Sequence, residues 1–203
     1  MQGGNMGENI ESYRNFSVES DPTTVTDKYW IYAEAKGDSS LNREPPIEKD
    51  IEPIEGLLKD TEKGKNLERT ENTIQAFGKE LELTRENIDR IAATIGILSG
   101  KWLIYREEDK IVSTWNKIRN SVKKGKLGNT AKCSTKKKQR GKGGDYVICV
   151  YTLNYLNKKD VFRVRKNLRQ IGVSEKLYYK PDIYSILNIY SKNVDFPASC
   201  YES

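Results

Sequence analysis

Basic side chains are concentrated in one part of this 203-residue chain, between Lys117 and Lys142. This block contains eleven Lys or Arg residues and no Asp or Glu. A cationic block of this kind attracts phosphate groups and other polyanions. Basic runs are also often only a solvated surface and a loop, so both interpretations stay open at this point. The candidate phosphate or nucleic-acid contacts are Lys132, Lys136, Lys137, Lys138, Arg140, Lys142 and Lys180.

Two tyrosines near Lys180 are the candidate stacking residues, Tyr178 and Tyr184. Every nucleobase has a π-face that an aromatic ring can cover, so such stacking tolerates any base sequence. The alternative is that these tyrosines are half-buried packing residues of a strand.

Histidine is absent from the chain. This absence removes the commonest general base, the commonest metal ligand and every Ser–His or Cys–His pair. The three cysteines are widely spaced and form no CxxC pair, which predicts free thiols in a reducing compartment. We therefore expect no metal site, no cofactor and no enzymatic activity. The enzymatic alternative uses Lys132 or Lys180 with Asp182, although a lysine beside a carboxylate is usually a salt bridge.

The net charge of +6 conceals an asymmetry along the chain. Residues 1–60 contain thirteen acidic and six basic residues, a net charge of −7, so the remainder carries +13. Residues 1–26 are polar and lack hydrophobic periodicity, which predicts a disordered tail before a single domain at 27–203. No segment approaches the ~20 apolar residues of a membrane span. We expect a monomeric cytoplasmic protein, with the nucleus as the alternative, and no membrane partner.

Hydrophobic periodicity predicts strands that are interleaved with helices. Strands are predicted at 29–33, 101–105, 129–134, 146–152 and 176–180. Helices are predicted at 67–77, from Thr84 to about Ile95, at 112–122 and at 157–171, with Thr84 and Asn157 as N-terminal caps. The 146–152 strand is apolar on both faces, which predicts a position at the centre of the sheet. A long loop is predicted at 37–65 and a mobile cationic hairpin loop at 135–144.

Four segments together resemble a known family: Ile95–Trp102, Gly125–Gly128, Ile148–Thr152 and Leu177–Tyr184. They resemble the uncharacterised eukaryotic proteins named after a transcript expressed in basophilic leukaemia, which share the fold of the cap-binding (4E-like) translation initiation factor. The resemblance covers residues from about 67 to 203. It implies an α+β fold, in which a curved, mainly antiparallel sheet has helices on its convex face and a concave face for a ligand.

The resemblance does not extend to the residues that read an mRNA cap. Cap-binding relatives hold a methylated guanine between two tryptophans, with a carboxylate on its edge and Arg or Lys on the phosphates. In this chain Thr94–Ser99 occupies the place of the second tryptophan and the carboxylate, and no Trp occurs between Ile31 and Lys101. We therefore expect no standard cap recognition. The three tryptophans are interpreted as framework: Trp30, Trp102 and Trp115.

Two functional hypotheses follow from the sequence. The first is a binding protein for RNA, a nucleotide or another phosphate-rich ligand, in which the cations between 117 and 142 gather beside the concave face. The second is a protein-interaction or adaptor module without a nucleic-acid ligand, which uses the helical face or the acidic N-terminal segment. Binding that survives high salt and loss of the lysine loop distinguishes the second from the first.

Overall fold

The protein is described by a computed structural model, which covers residues 20–35, 79, 81–139, 145–190 and 195–203. Its strands are β1 (Trp30–Glu34), β2 (Gly100–Arg106), β3 (Thr130–Ser134), β4 (Tyr146–Thr152), β5 (Tyr178–Pro181) and β6 (Tyr201–Glu202). Within these residues the strands form one sheet in the order β1-β3-β4-β2-β5-β6, and every pairing is antiparallel. The apolar strand β4 lies between β3 and β2, so its predicted central position is confirmed.

The helices are α1 (Arg85–Ile95), α2 (Glu108–Lys123), α3 (Lys136–Gln139), α4 (Lys158–Gln170) and α5 (Asp182–Ile186). Two predicted caps are confirmed. The Thr84 side chain accepts a hydrogen bond from the Asn87 N–H at 3.2 Å, and Asn157 accepts one from the Asp160 N–H at 3.1 Å. Each cap satisfies an N–H group that the first helical turn leaves without a partner. The predicted loop at 37–65 and the predicted helix at 67–77 lie outside the described residues.

One face of the sheet packs against the helices. The buried strand side chains include Ile31, Ala33, Trp102, Ile104, Ala131, Ile148 and Val150, and they form one core with Trp115, Ile118, Val161 and Leu168 from the helices. The Trp102 indole Nε1–H donates to the Val161 carbonyl at 3.0 Å and ties α4 to the sheet. This arrangement confirms the α+β class and the framework role of Trp102 and Trp115.

The structure differs from the sequence prediction at residues 20–26 and at residues 136–139. The Lys136 N–H donates to the Pro22 carbonyl at 2.8 Å, and the Lys137 N–H donates to the Val25 carbonyl at 3.2 Å. The segment at 20–26 therefore packs on the sheet region instead of belonging to a tail. Residues 136–139 form the short helix α3 instead of a mobile loop, because these bonds join segments more than 100 positions apart, which local sequence patterns do not reveal.

Arg165 is buried, with 1% of its surface exposed, and it anchors the C-terminal strand. Its guanidinium group donates to the backbone carbonyls of Val173 at 2.7 Å, Glu175 at 2.6 Å and Ser203 at 3.2 Å. Carbonyl oxygens disperse the charge of a buried guanidinium through charge-assisted hydrogen bonds. These hydrogen bonds hold β6 and the segment that precedes β5 against α4.

Replacement of Arg165 by Met is expected to lower the free energy of unfolding by about 2–4 kcal/mol, because several buried carbonyls lose their donor at once. Urea denaturation of the purified variant measures this effect. Lys166→Met is the matched control, since Lys166 is the exposed next residue on the same helix, and its effect should stay within about 0.5 kcal/mol. Equal effects of the two substitutions would contradict the anchoring role of Arg165.

Candidate functional site

The strand residues that alternate with the core point to the opposite side of the sheet, which we call the outer face. Antiparallel register aligns these residues in rows across the strands. One row contains Tyr32, Lys132, Cys149, Leu103 and Tyr178, and the next contains Thr130, Tyr151, Lys101 and Lys180. Neighbouring strands lie about 4.8 Å apart. Register therefore brings lysines from three strands among aromatic residues.

Two amines lie over the indole ring of Trp30. The Lys138 Nζ is 3.8 Å from the ring centroid and the Lys132 Nζ is 4.5 Å from it. Both distances fall in the range of cation–π attraction. Tyr151 borders the same region, with its ring centroid 5.5 Å from the Lys132 Nζ and 5.8 Å from the Lys101 Nζ. We refer to Lys101, Lys132 and Lys138, with the rings of Trp30 and Tyr151, as the lysine cluster.

Cys149 lies within the same cluster and is 4% exposed. Burial raises the pKa of its thiol, whereas the positive charges of Lys132, Lys101 and Lys138 act in the opposite direction. Cys149 is the cross-strand partner of Lys132, so the thiol and the lysine cluster occupy the same part of the outer face. All three cysteines of the chain are free thiols, as predicted.

Burial disfavours the positive charges of Lys132 and Lys138. Desolvation lowers the pKa of Lys132, and the neighbouring Lys101 lowers it further, while Cys149 and Asp182 partly compensate. Desolvation also lowers the pKa of Lys138, and Lys132 contributes in the same direction. An ammonium group is costly in such a place unless an anion accompanies it.

The described residues do not supply that anion to two of the three amines. Lys101 forms a salt bridge with Asp182. In the part of the chain that the structure describes, no carboxylate lies within 4.0 Å of the amine of Lys132 or Lys138. The cluster therefore presents the partly buried amine of Lys132 and the more exposed amine of Lys138, both over the Trp30 ring and without a paired acid among the described residues.

Lys180 lies beside the cluster as the cross-strand partner of Lys101. Its Nζ donates to the Ile189 carbonyl at 2.9 Å and lies 4.0 Å from the centroid of the Tyr190 ring. Burial lowers the pKa of Lys180, and the charge of Lys101 adds to this effect. The Asp182 carboxylate forms an ion pair with Lys101 and accepts a hydrogen bond from the Ser99 hydroxyl. It is therefore paired with Lys101 and not with Lys180.

The remaining predicted contacts do not converge on the cluster. The Lys136 Nζ forms a salt bridge with Glu108 at 2.6 Å, and the Lys137 Nζ donates to the Asp27 carbonyl at 2.7 Å. The basic residues at 117–126 belong to α2 and the segment that follows it, on the side of the helices. The prediction that all basic residues between 117 and 142 lie together beside one face of the sheet is therefore wrong for Lys136, Lys137 and the basic residues at 117–126. Arg140 and Lys142 lie outside the described residues.

The two predicted stacking residues differ in accessibility. Tyr178 lies on the outer face and is 47% exposed. Tyr184 is 1% exposed, and its ring packs edge-on against Phe196 with 6.2 Å between the centroids. Tyr184 thus has no ring face available for a ligand, and its role is packing.

Sequence reasoning missed three members of the cluster: Trp30, Tyr151 and Lys101. Trp30 precedes Ile31 in a strand whose alternate residues Ile31 and Ala33 are buried. Two-residue alternation alone places Trp30 on the other face, together with Lys132, which lies between the buried Ala131 and Cys133. The strand pairing that unites them joins residues about a hundred positions apart, and no local signal encodes it.

Comparison with known proteins identifies the family of this chain. Residues 19–188 match the family model described as basophilic leukemia-expressed protein Bles03. The chain belongs to the Bles03 family. Every residue of the lysine cluster falls inside the segment that matches the Bles03 model.

A solved structure that resembles this Bles03 chain is a schistosome eIF4E complexed with m7GpppA and 4E-BP. The two share 12% sequence identity and a TM-score of 0.39, over 52% of this chain and 58% of the other. Similarity at this level assigns no ligand. Among the described residues, no helix combines the length and the hydropathy needed to cross a bilayer. The same residues contain no group of three Cys, Asp or Glu side chains arranged to hold a metal ion.

Lys132→Met is expected to raise the free energy of unfolding at neutral pH. The folded protein lowers the pKa of Lys132, so folding disfavours the protonated amine. The resulting penalty is fully present below the folded pKa and declines to zero as the pH rises from the folded pKa to the unfolded pKa. The gain from Met should therefore shrink towards about pH 10. Thermal unfolding of variant and wild type across this range measures it.

Lys136→Met is the matched control for this experiment. Its amine is exposed and paired with Glu108, so the Lys136→Met substitution should not raise the free energy of unfolding at any pH. If Lys132→Met instead lowered the free energy of unfolding at neutral pH by as much as Lys136→Met, burial of the Lys132 amine would not be costly, and the prediction would be wrong.

Proposed function

We propose that this chain is a non-enzymatic binding protein that takes a phosphate-bearing ligand, such as RNA or a nucleotide, at the lysine cluster. The observation that carries the proposal is the pair of amines over Trp30 that have no carboxylate partner among the described residues. Natural structures usually pair or solvate such charges. A bound phosphate would supply the missing anion.

The chemistry of the cluster suits a phosphate group better than a single carboxylate. A phosphate offers several acceptor oxygens, and ammonium groups from different elements can donate to it through charge-assisted hydrogen bonds. Lys132 approaches from β3 and Lys138 from α3, so one anion between them would relieve the repulsion of both. Its charge would also raise the pKa of each amine and favour the protonated form.

Aromatic surface on the same face favours a ligand that also contains a planar group. Trp30 is partly exposed, whereas Trp102 and Trp115 are buried, with 0% and 1% of their surfaces accessible. Tyr178 adds an exposed ring three strands away from Lys132 in the same row. Stacking on such rings contributes about 1–3 kcal/mol per base in single-stranded nucleic-acid binding.

The competing function is a protein-interaction module that uses the helical side. One observation favours it: Phe162 on α4 is 39% exposed and lies 5.6 Å from the Tyr201 ring, between centroids. An apolar contact of that kind would resist salt, whereas phosphate binding weakens steeply with salt. The two functions therefore separate in one salt series.

Binding of a single-stranded oligouridylate is expected to quench the fluorescence of Trp30, and the affinity is expected to fall with salt. Lys132→Gln and Lys138→Gln should each weaken binding by about 1–2 kcal/mol and reduce the log–log salt slope by about 0.7 per lost phosphate contact. Lys136→Gln is the matched control, because its amine is neutralised by Glu108. Fluorescence titrations between low and physiological salt provide all three quantities.

Two outcomes would remove the proposal. Binding that is equally strong in Lys132→Gln and Lys138→Gln would place the ligand elsewhere, and absence of binding to RNA, nucleotides and inorganic phosphate would leave the protein-interaction function. Trp30→Phe distinguishes quenching at the cluster from quenching elsewhere, since it should abolish the signal and preserve the fold.

A further inference from the structure

Lys132 combines features that ordinarily occur together in nucleophilic lysines. Its amine is partly buried, lies over the same Trp30 ring as the amine of Lys138, and lacks a described carboxylate within salt-bridge distance. Desolvation and a nearby cation are the two means by which proteins keep a lysine amine uncharged. We propose that Lys132 forms a reversible imine with an aldehyde group of its ligand, with preference for aldehydes that also carry phosphate.

This inference rests on the proposed function, since it names the class of ligand that the same site would capture. Charged and titratable groups surround the Lys132 side chain from every neighbouring element. They are Tyr32 on β1, Lys101 on β2, Cys149 and Tyr151 on β4, Lys138 on α3 and Asp182 on α5. Asp182 forms an ion pair with Lys101, so the positive charge of Lys101 partly neutralises the effect of the Asp182 carboxylate on Lys132.

Lys132 and Lys138 would have different roles in this reaction. The unprotonated form of the Lys132 amine attacks the aldehyde carbon and forms a C–N bond, and a proton passes from the nitrogen to the carbonyl oxygen to give a carbinolamine. A second proton, taken from solvent, lets the hydroxyl group leave as water and gives a protonated C=N imine. Hydrolysis reverses the sequence, so no oxidant or reductant is consumed. Lys138, which is more exposed, stays available to hold the phosphate of the same ligand.

Four other lysines among the described residues lack this combination of features. The Lys180 amine is held by the Ile189 carbonyl, and its neighbour Lys101 is held by Asp182. Hydrogen bonds to Glu108 and Glu202 raise the pKa values of Lys136 and Lys176, which keeps both amines charged. A charged ammonium group has no lone pair with which to attack a carbonyl.

The test is to treat the full chain with pyridoxal 5′-phosphate, reduce the imines with borohydride and map each modified lysine by peptide mass spectrometry. At neutral pH the adduct at Lys132 should exceed the adducts at Lys136, Lys159 and Lys176 several-fold. Phosphate-free pyridoxal should modify Lys132 less. Equal modification of Lys132 and the exposed lysines, or modification that ignores the phosphate, would overturn the proposal.

Variants separate reactivity from mere accessibility. Lys138→Gln should reduce modification of Lys132 by pyridoxal 5′-phosphate, because the phosphate contact and a repelling cation are both lost, whereas Lys136→Gln should leave it unchanged. A Lys138→Gln variant that labels Lys132 as fast as wild type would contradict the division of roles. Lys132→Arg keeps a cation at the position and should eliminate this adduct alone.

Competition with RNA distinguishes failure of this inference from failure of the proposed function. Protection of Lys132 by oligouridylate supports both. Selective labelling without any RNA or nucleotide binding keeps the reactive amine and removes nucleic acid as its ligand. RNA binding that depends on Lys132, combined with unselective labelling, removes the imine and keeps the phosphate site.

Discussion

The antiparallel pairing of β3 with β1 and β4 holds the Lys132 amine between aromatic rings, where burial disfavours its charge. Cation–π attraction from Trp30 and Tyr151 offsets part of this cost, in the range of about 0.5–2 kcal/mol for such contacts. A carboxylate partner would offset more of the burial cost. The one described acid that acts on Lys132 is Asp182, which forms a salt bridge with Lys101. This charge, which has no acid partner in the part of the chain that the structure describes, is the constraint on which the proposed binding site and the proposed reactivity of the amine both depend.

The other side of the sheet supplies the rigidity that keeps such a charge in place. Trp102 lies in the core and donates its indole N–H to the Val161 carbonyl, so α4 cannot shift without breaking a buried hydrogen bond. Gly128, which precedes β3, approaches β4 so closely that a Cβ at this position would meet the Tyr151 carbonyl oxygen at 1.6 Å. Only glycine permits this approach, and it fixes the end of β4 that carries the Tyr151 ring.

Local signals were sufficient for most of the described elements. Thr84 and Asn157 begin helices because their side chains satisfy orphan N–H groups, and β4 is central because both of its faces are apolar. The candidate site was only partly predictable, because charge density along the chain does not show in which direction each side chain points. Lys132 and Lys136 are four residues apart, yet one lies over Trp30 and the other pairs with Glu108.

The remaining error came from long-range pairing. Residues 20 to 29 pack against α3 and the residue before it through backbone hydrogen bonds. In this arrangement the cationic run at 136–139 forms a short helix, and the Lys138 amine lies over Trp30. A polar segment without periodicity gives no sign of such a partner. Strand alternation applied to both β1 and β3 would have placed Trp30 and Lys132 on one face, but their adjacency required the sheet order.

The central claim is that the Lys132 amine is partly buried and has no carboxylate partner among the described residues. A side-chain NMR titration of its Cε and Nζ resonances tests this claim most directly. Lys132 should lose its proton at a lower pH than Lys136 and Lys176, whose carboxylate partners raise their pKa values. Saturation with oligouridylate should move the Lys132 midpoint upwards. A Lys132 resonance that titrates together with those of Lys136 and Lys176, and that does not respond to the oligonucleotide, would contradict the account.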